Sequence, residues 1–219
     1  MALRVDLREL KRFIGAVKGA AIGRELPRLA AEAESLAQPR ILYGSSCVER
    51  IEGDTIRIDG VGFKSGLLAR LLGEGQRVYP FVLTIGPSLE QRASSAESLW
   101  PHLVLDAMGT LLVSSLSRHL ERVLKAEFGS SKFSRFSPGS LEAWPLTEQR
   151  PLFALLGDVE GRIGVKLIAS CFMIPKKSLS GMYVTTKEAF LSCRLCSMAA
   201  CSGRRARFSP RLRCVYGLA

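Results

Sequence analysis

Histidine is nearly absent from this chain: only His102 and His119 occur. His102 follows Pro101 at an expected helix start, and His119 belongs to a charged patch with Arg118 and Glu121. Neither stands in a Ser-His-Asp or Cys-His arrangement, so no catalytic residue is assigned. Phosphate-cradling glycine motifs are lacking too. No GxGxxG follows an expected strand, and no GxxxxGK occurs. The longest uncharged apolar stretch near the middle, 107–117, falls far short of the roughly 20 residues of a membrane span. The first residues carry Arg4, Asp6, Arg8, Glu9, Lys11 and Arg12 with no apolar h-region, so a signal peptide is not expected and a cytoplasmic location is. Acidic residues are missing from Arg194 onward, where Arg204, Arg205, Arg207, Arg211 and Arg213 follow. There is no internal repeat and no low-complexity linker.

What is present describes a globular protein. The 219 residues are 47% hydrophobic and 23% charged, enough to bury a core in one large domain or two small ones. The net charge of +11 suits nucleic acid, an anionic cofactor, an acidic partner or simply a solvated basic surface. No aromatic-basic RNA-binding pattern accompanies it, so nucleic acid is not the expected partner. The arginine-rich end reads as an electrostatic docking arm.

Periodicity predicts a short helix over 5–14 and a second over 24–37, with Pro27 in its first turn. Strands are expected at 40–48, in a hairpin over 50–58 around Gly53-Asp54, at 61–63 and at 77–85. A helix over 65–72 lies between the last two. Ser88 is read as a helix cap. A long helix over 101–128 carries Leu105, Met108, Leu112, Leu116, Leu120, Val123 and Leu124 as one stripe. Thr147 is expected to cap a helix over 147–156, and 164–172 and 183–186 read as strands. Without regular βαβ alternation, the class is α+β with a largely antiparallel sheet. Three regions are delimited: an N-terminal helical segment (1–39), a central domain (40–190) and a Cys-rich basic tail (191–219).

Two stretches stand out. In RFSPGS, 135–140, an arginine precedes a Pro-Gly turn, which places a cationic fork beside unshielded backbone N–H groups and suits a carboxylate. In MIPKKSLSGMY, 173–183, small residues lead to a tyrosine. Together they read as two lips of one small-molecule pocket, or as two idle surface turns. Cys193, Cys196 and Cys201 form a CxxCxxxxC run. Such thiolates can hold zinc or an iron–sulfur cluster, with Cys171, Cys214 or Cys47 as a fourth ligand. They can equally be three reduced thiols.

The run RFSPGS with Trp144, Pro145 and Gln149, followed by GVKLIASCFMIPKKSLSGMY (164–183), resembles the activation (reactivation) domain of vitamin B12-dependent methionine synthase. It is most similar to the short stand-alone form of that domain. VYPFVLTIGPSLE (78–90), LDAMGTLLVSSL (105–116) and the CxxCxxxxC ending extend the similarity over roughly 40–205. The resemblance implies a curved α+β domain with a twisted antiparallel sheet flanked by helices. It implies S-adenosylmethionine in a shallow groove, and a cobalamin-binding partner, either methionine synthase or another corrinoid protein. The chain would then be a methyltransferase component that supports reductive methylation of the partner's cobalamin in methionine biosynthesis, with an electron from a flavodoxin or ferredoxin. Within the motif, Arg135 would grip the ligand's carboxylate, Ser137, Pro138, Gly139 and Ser140 would contact the rest, and Tyr183 would close the second loop. The family's tyrosine after Pro-Gly is Ser140 here, and an acidic residue of its long helix is replaced near Ser114 and Ser115. Such chemistry needs no general base, only positioning of a methyl group, and a methyl-sulfonium favours an aromatic face. The alternative is an iron–sulfur electron-transfer protein, or a degenerate interaction partner of a corrinoid protein.

Overall fold

The computed structural model describes residues 3–15, 20–129, 132–186, 190–199, 201 and 204–216. Ser65 starts a helix by accepting from the Leu68 N–H, and Asp6 does the same for Arg8 and Glu9, as short polar side chains do at N-caps. In chain order the elements are α1 (Leu7–Phe13), α2 (Ala20–Leu36), β1 (Arg40–Tyr43), β2 (Ser46–Glu52), β3 (Thr55–Ile58), β4 (Val61–Lys64) and α3 (Gly66–Leu71). β5 (Arg77–Thr84), α4 (Ser88–Ser94), α5 (Leu99–Phe128), β6 (Phe133–Phe136), α6 (Gln149–Leu156) and α7 (Val159–Ile163) follow. The last elements are β7 (Lys166–Leu167), β8 (Met173–Ile174), β9 (Ser178–Thr185) and α8 (Pro210–Val215).

The main sheet runs β4-β3-β2-β5-β9-β6, with β1 also on β5, and every pairing is antiparallel. This is the α+β sheet that the sequence led us to expect. Both faces of its middle are covered. Tyr79, Phe81 and Leu83 of β5 and Tyr183 of β9 point to the core shared with α1, α2, α4 and α5. Met182 and Val184 point the other way, to Val48, Ile56, Phe63, Trp144 and Leu152. A strand buried on both faces loses the apolar-polar alternation, which explains the nearly unbroken burial of β5.

α5 is long and apolar enough, by length and composition alone, to cross a membrane. Its apolar side is used inside the fold: Leu105, Met108, Leu112, Leu116, Leu120 and Leu124 all lie in the core. The N-terminal segment joins the same core through Leu3, Leu10, Leu26 and Leu29.

Several expectations are corrected. Residues 40–48 form two strands: the Gly44 N–H still donates to the Pro80 carbonyl in the register of β1 on β5, but Pro80 has no N–H to return and the ladder stops there. Pro27 lies inside α2, which begins at Ala20. α4 begins at Ser88 without a side-chain cap, and α6 follows a 3-10 turn at Leu146–Glu148, so Thr147 does not cap it. Of the stretch 164–172 only the two residues of β7, Lys166–Leu167, are strand, and they pair with β8 apart from the main sheet. Val165 is buried under α7, but Cys171 takes φ +64° and turns the chain, leaving Phe172 62% exposed. The basic tail is folded rather than extended where it is described: Leu212 and Tyr216 pack on the second core.

Candidate functional site

The site begins with β6. Arg135 lies opposite Tyr183 of β9 in register and shares its side of the strand with Phe133, facing α5. One turn of α5 meets both. The Arg135 Nη1 donates to the Ser117 hydroxyl at 2.6 Å. That hydroxyl lies 2.7 Å from the Tyr183 hydroxyl, which itself donates to the Ser117 carbonyl at 2.8 Å. The proton order is therefore fixed: Arg135 to Ser117 Oγ, Ser117 Oγ–H to Tyr183, and Tyr183 O–H to the helix backbone. Gly181 makes the approach of β6 possible, since a Cβ there would lie 2.1 Å from the Phe136 carbonyl oxygen.

Electrostatics at this point follow burial. Desolvation is the largest influence on the Arg135 guanidinium and pushes its pKa below the ordinary value, and Arg205 adds to this, while Tyr183 and Glu121 oppose it. Burial likewise raises the Tyr183 hydroxyl, against the lowering effects of Ser117 and Arg135. Arg135 nevertheless remains a cation, as arginine does in proteins.

Above Arg135 lies a groove of about 690 Å³, in the size range of small-molecule sites. Its floor includes Thr110, Ser114 and Arg118 of α5. Glu9, Arg12 and Phe13 of α1 form one wall. Ser192, Cys193, Arg204 and Arg205 form the other. Arg204 holds that wall together by donating to the carbonyls of Cys193, Cys196, Met198 and Ala206.

The residues singled out in the sequence fare unequally. Arg135 lines the groove; Tyr183 and the turn 137–140 are not among its described lining residues. Tyr183 is only 2% exposed, with its ring packed against Phe81 and Phe133. Its aromatic face is therefore not offered to a ligand, and it acts on the groove through Ser117 and Arg135. The two stretches are not two loops across a pocket, because 178–185 is a central strand and Arg135 belongs to its neighbour. Pro138 and Gly139 (φ +79°) form a tight turn closed by Ser140 N–H to the Ser137 carbonyl at 3.1 Å. The Ser140 hydroxyl is spent on the same carbonyl. The Ser137 hydroxyl is buried and finds no partner among the described residues, a donor left over in the turn that follows Arg135.

The metal reading gains no support. Cys193, Cys196 and Cys201 are free thiols, and among the described residues no three His, Cys, Asp or Glu side chains gather as metal ligands would. Neither a cluster nor zinc is supported here. Cys47 and Cys214 are exposed and Cys171 is buried, so the suggested fourth ligands do not supply one either. Sequence reasoning missed Ser117, whose place on the α5 stripe marked it only as a core neighbour. It also missed the walls from α1 and the C-terminal segment, which no local pattern joins.

No family model matches the chain, and no curated protein does. Among solved structures it is similar to the crystal structure of the MetH reactivation domain bound to AdoHcy. That likeness has a TM-score of 0.62 and 22% sequence identity, and covers 85% of this chain and 75% of that one. The fold is thus that of a reactivation domain.

Proposed function

We propose that the chain is an activation subunit for a cobalamin-dependent methyltransferase of the methionine synthase type, and that it binds S-adenosylmethionine in the groove above Arg135. The observation that carries this reading is Arg135 itself. It is a partly buried guanidinium, held by Ser117 on the floor of a groove, in a chain whose fold is similar to a domain bound to AdoHcy. A fixed planar fork is the donor a carboxylate needs. Glu9 is the one acid among the described lining residues of the groove, and an ammonium group would share it with Arg118, 3.6 Å away.

S-adenosylmethionine bound there supplies a methyl group to reduced cobalamin carried by the partner protein, with the electron coming from a flavodoxin-type or ferredoxin-type donor. The chain's own part is positional. Arg135 would orient the ligand, and Ser117 and Tyr183 fix Arg135. No base is required.

Calorimetric titration of the full chain with S-adenosylmethionine, for wild type and Arg135→Ala, tests this. Binding that weakens roughly tenfold or more in the variant is expected for loss of a charge-assisted pair. Absence of binding at millimolar ligand, together with unchanged reactivation of a cobalamin-binding partner by Arg135→Ala, overturns it.

A further inference from the structure

The groove holds more positive charge than a single carboxylate can answer. Arg12, Arg118, Arg135, Arg204 and Arg205 line it, and Glu9 is the one acid among its described lining residues. Glu9 is already engaged, 3.6 Å from Arg118. Arg205 is near enough for its charge to be felt at Arg135. Arg204 is locked by backbone carbonyls, which orient it without neutralising it. Like charges gathered in a concave, partly desolvated space raise the free energy of the empty groove until an anion enters. S-adenosylmethionine brings one carboxylate but also an ammonium and a sulfonium, and the arginines repel both.

We propose that the groove is a binding site for a multiply charged anion of phosphate or diphosphate chemistry, held by Arg12, Arg118 and Arg205 above Arg135. Guanidinium forks match pairs of phosphate oxygens, and several can share one group. The hydroxyls of Ser114 and Ser192 line the same space and add neutral donors. Arg204 acts by holding the wall from which Arg205 reaches. This inference stands apart from the S-adenosylmethionine reading and does not need it.

The test is titration of the full chain with inorganic pyrophosphate, in parallel with sodium chloride at matched ionic strength, followed by calorimetry and thermal unfolding. Pyrophosphate is expected to bind and to raise the unfolding temperature beyond the chloride control. Arg12→Ser and Arg205→Ser are each expected to weaken it about tenfold or more. Both side chains are exposed, so the fold should survive their replacement. Arg207→Ser, exposed and absent from the described groove lining, should leave binding unchanged. Adenosine diphosphate binding more tightly than pyrophosphate assigns the site to a nucleotide, and weaker binding assigns it to free diphosphate. No shift beyond chloride, or equal weakening by Arg207→Ser, overturns the proposal. S-adenosylmethionine binding without pyrophosphate binding refutes this inference alone, and the reverse result refutes only the preceding one.

Discussion

Replacing Tyr183 with phenylalanine removes one oxygen from a residue that is 2% exposed. That oxygen makes two contacts, 2.7 Å to the Ser117 hydroxyl and 2.8 Å to the Ser117 carbonyl. Each hydrogen bond contributes about 0.5–1.5 kcal/mol net, so Tyr183→Phe should cost about 2 kcal/mol. For a chain of this size that lowers the unfolding temperature by roughly 4–8 °C. The ring stays packed, so no cavity adds to the cost. Ser117→Ala breaks the same network from the other side, and the double variant should therefore cost less than the sum of the single ones. The pH dependence supplies a second reading. Burial raises the folded-state pKa of Tyr183 above the 10.0 of an ordinary tyrosine. The unfolded chain thus loses that proton first, and the stability it contributes is complete below about pH 10 and falls as pH climbs past it. Tyr183→Phe should flatten that fall. Thermal unfolding between pH 7 and pH 11 measures both effects. An unfolding temperature within about 1 °C of wild type, or strictly additive single-variant costs, refutes the network.

The remaining expectations concern packing and the cysteines. Gly181→Ala drives a Cβ to 2.1 Å from the Phe136 backbone oxygen, which no rotamer change can relieve. It should cost about 1–3 kcal/mol and displace Arg135, read by calorimetry and ligand titration. Gly109→Ala meets only the flexible Lys177 side chain at 3.1 Å and beyond, and in mid-helix alanine gains about 0.5–1 kcal/mol over glycine, so thermal unfolding should show little loss or a gain. Protein purified anaerobically should contain no stoichiometric iron or zinc by elemental analysis, since the three clustered cysteines do not converge; a stoichiometric metal lost on Cys193→Ser contradicts that placement.

Local pattern carried the fold where one face or one stripe was decisive. The β2–β3 hairpin announced itself through Gly53-Asp54, and α5 through its leucines spaced along one side. It also found β5, an apolar run buried on both faces, and failed where a strand owes its place to a neighbour. β9 contains Ser178, Ser180 and Gly181, which read as a loop, yet Gly181 is small because β6 passes over it. The stretch 164–172 shows the opposite error: apolar residues suggested a strand, but Val165 serves a small core with Leu42 and Ile163, and Cys171 turns the chain away. α7 carries a glycine in its interior and was passed over, although Asp158 caps it by accepting from Gly161. At the site, Arg135 was legible as a cation beside a turn. Its partner Ser117 and the arginine walls were not, because only tertiary packing brings them together.

The groove draws one wall from α1 near the start of the chain, its floor from α5, and the other wall from Ser192 to Arg205. Contacts of such sequence separation form late, after the intervening loop has been closed. During synthesis, which proceeds N-terminus first, α1 can dock on α5 well before Arg205 has left the ribosome. The sheet and its helices can therefore be assembled while the groove still has one open side. Recognition then depends on the segment from Ser192 onward, and its proteolytic loss would remove one wall of the groove together with Leu195, Leu212 and Tyr216 from the second core.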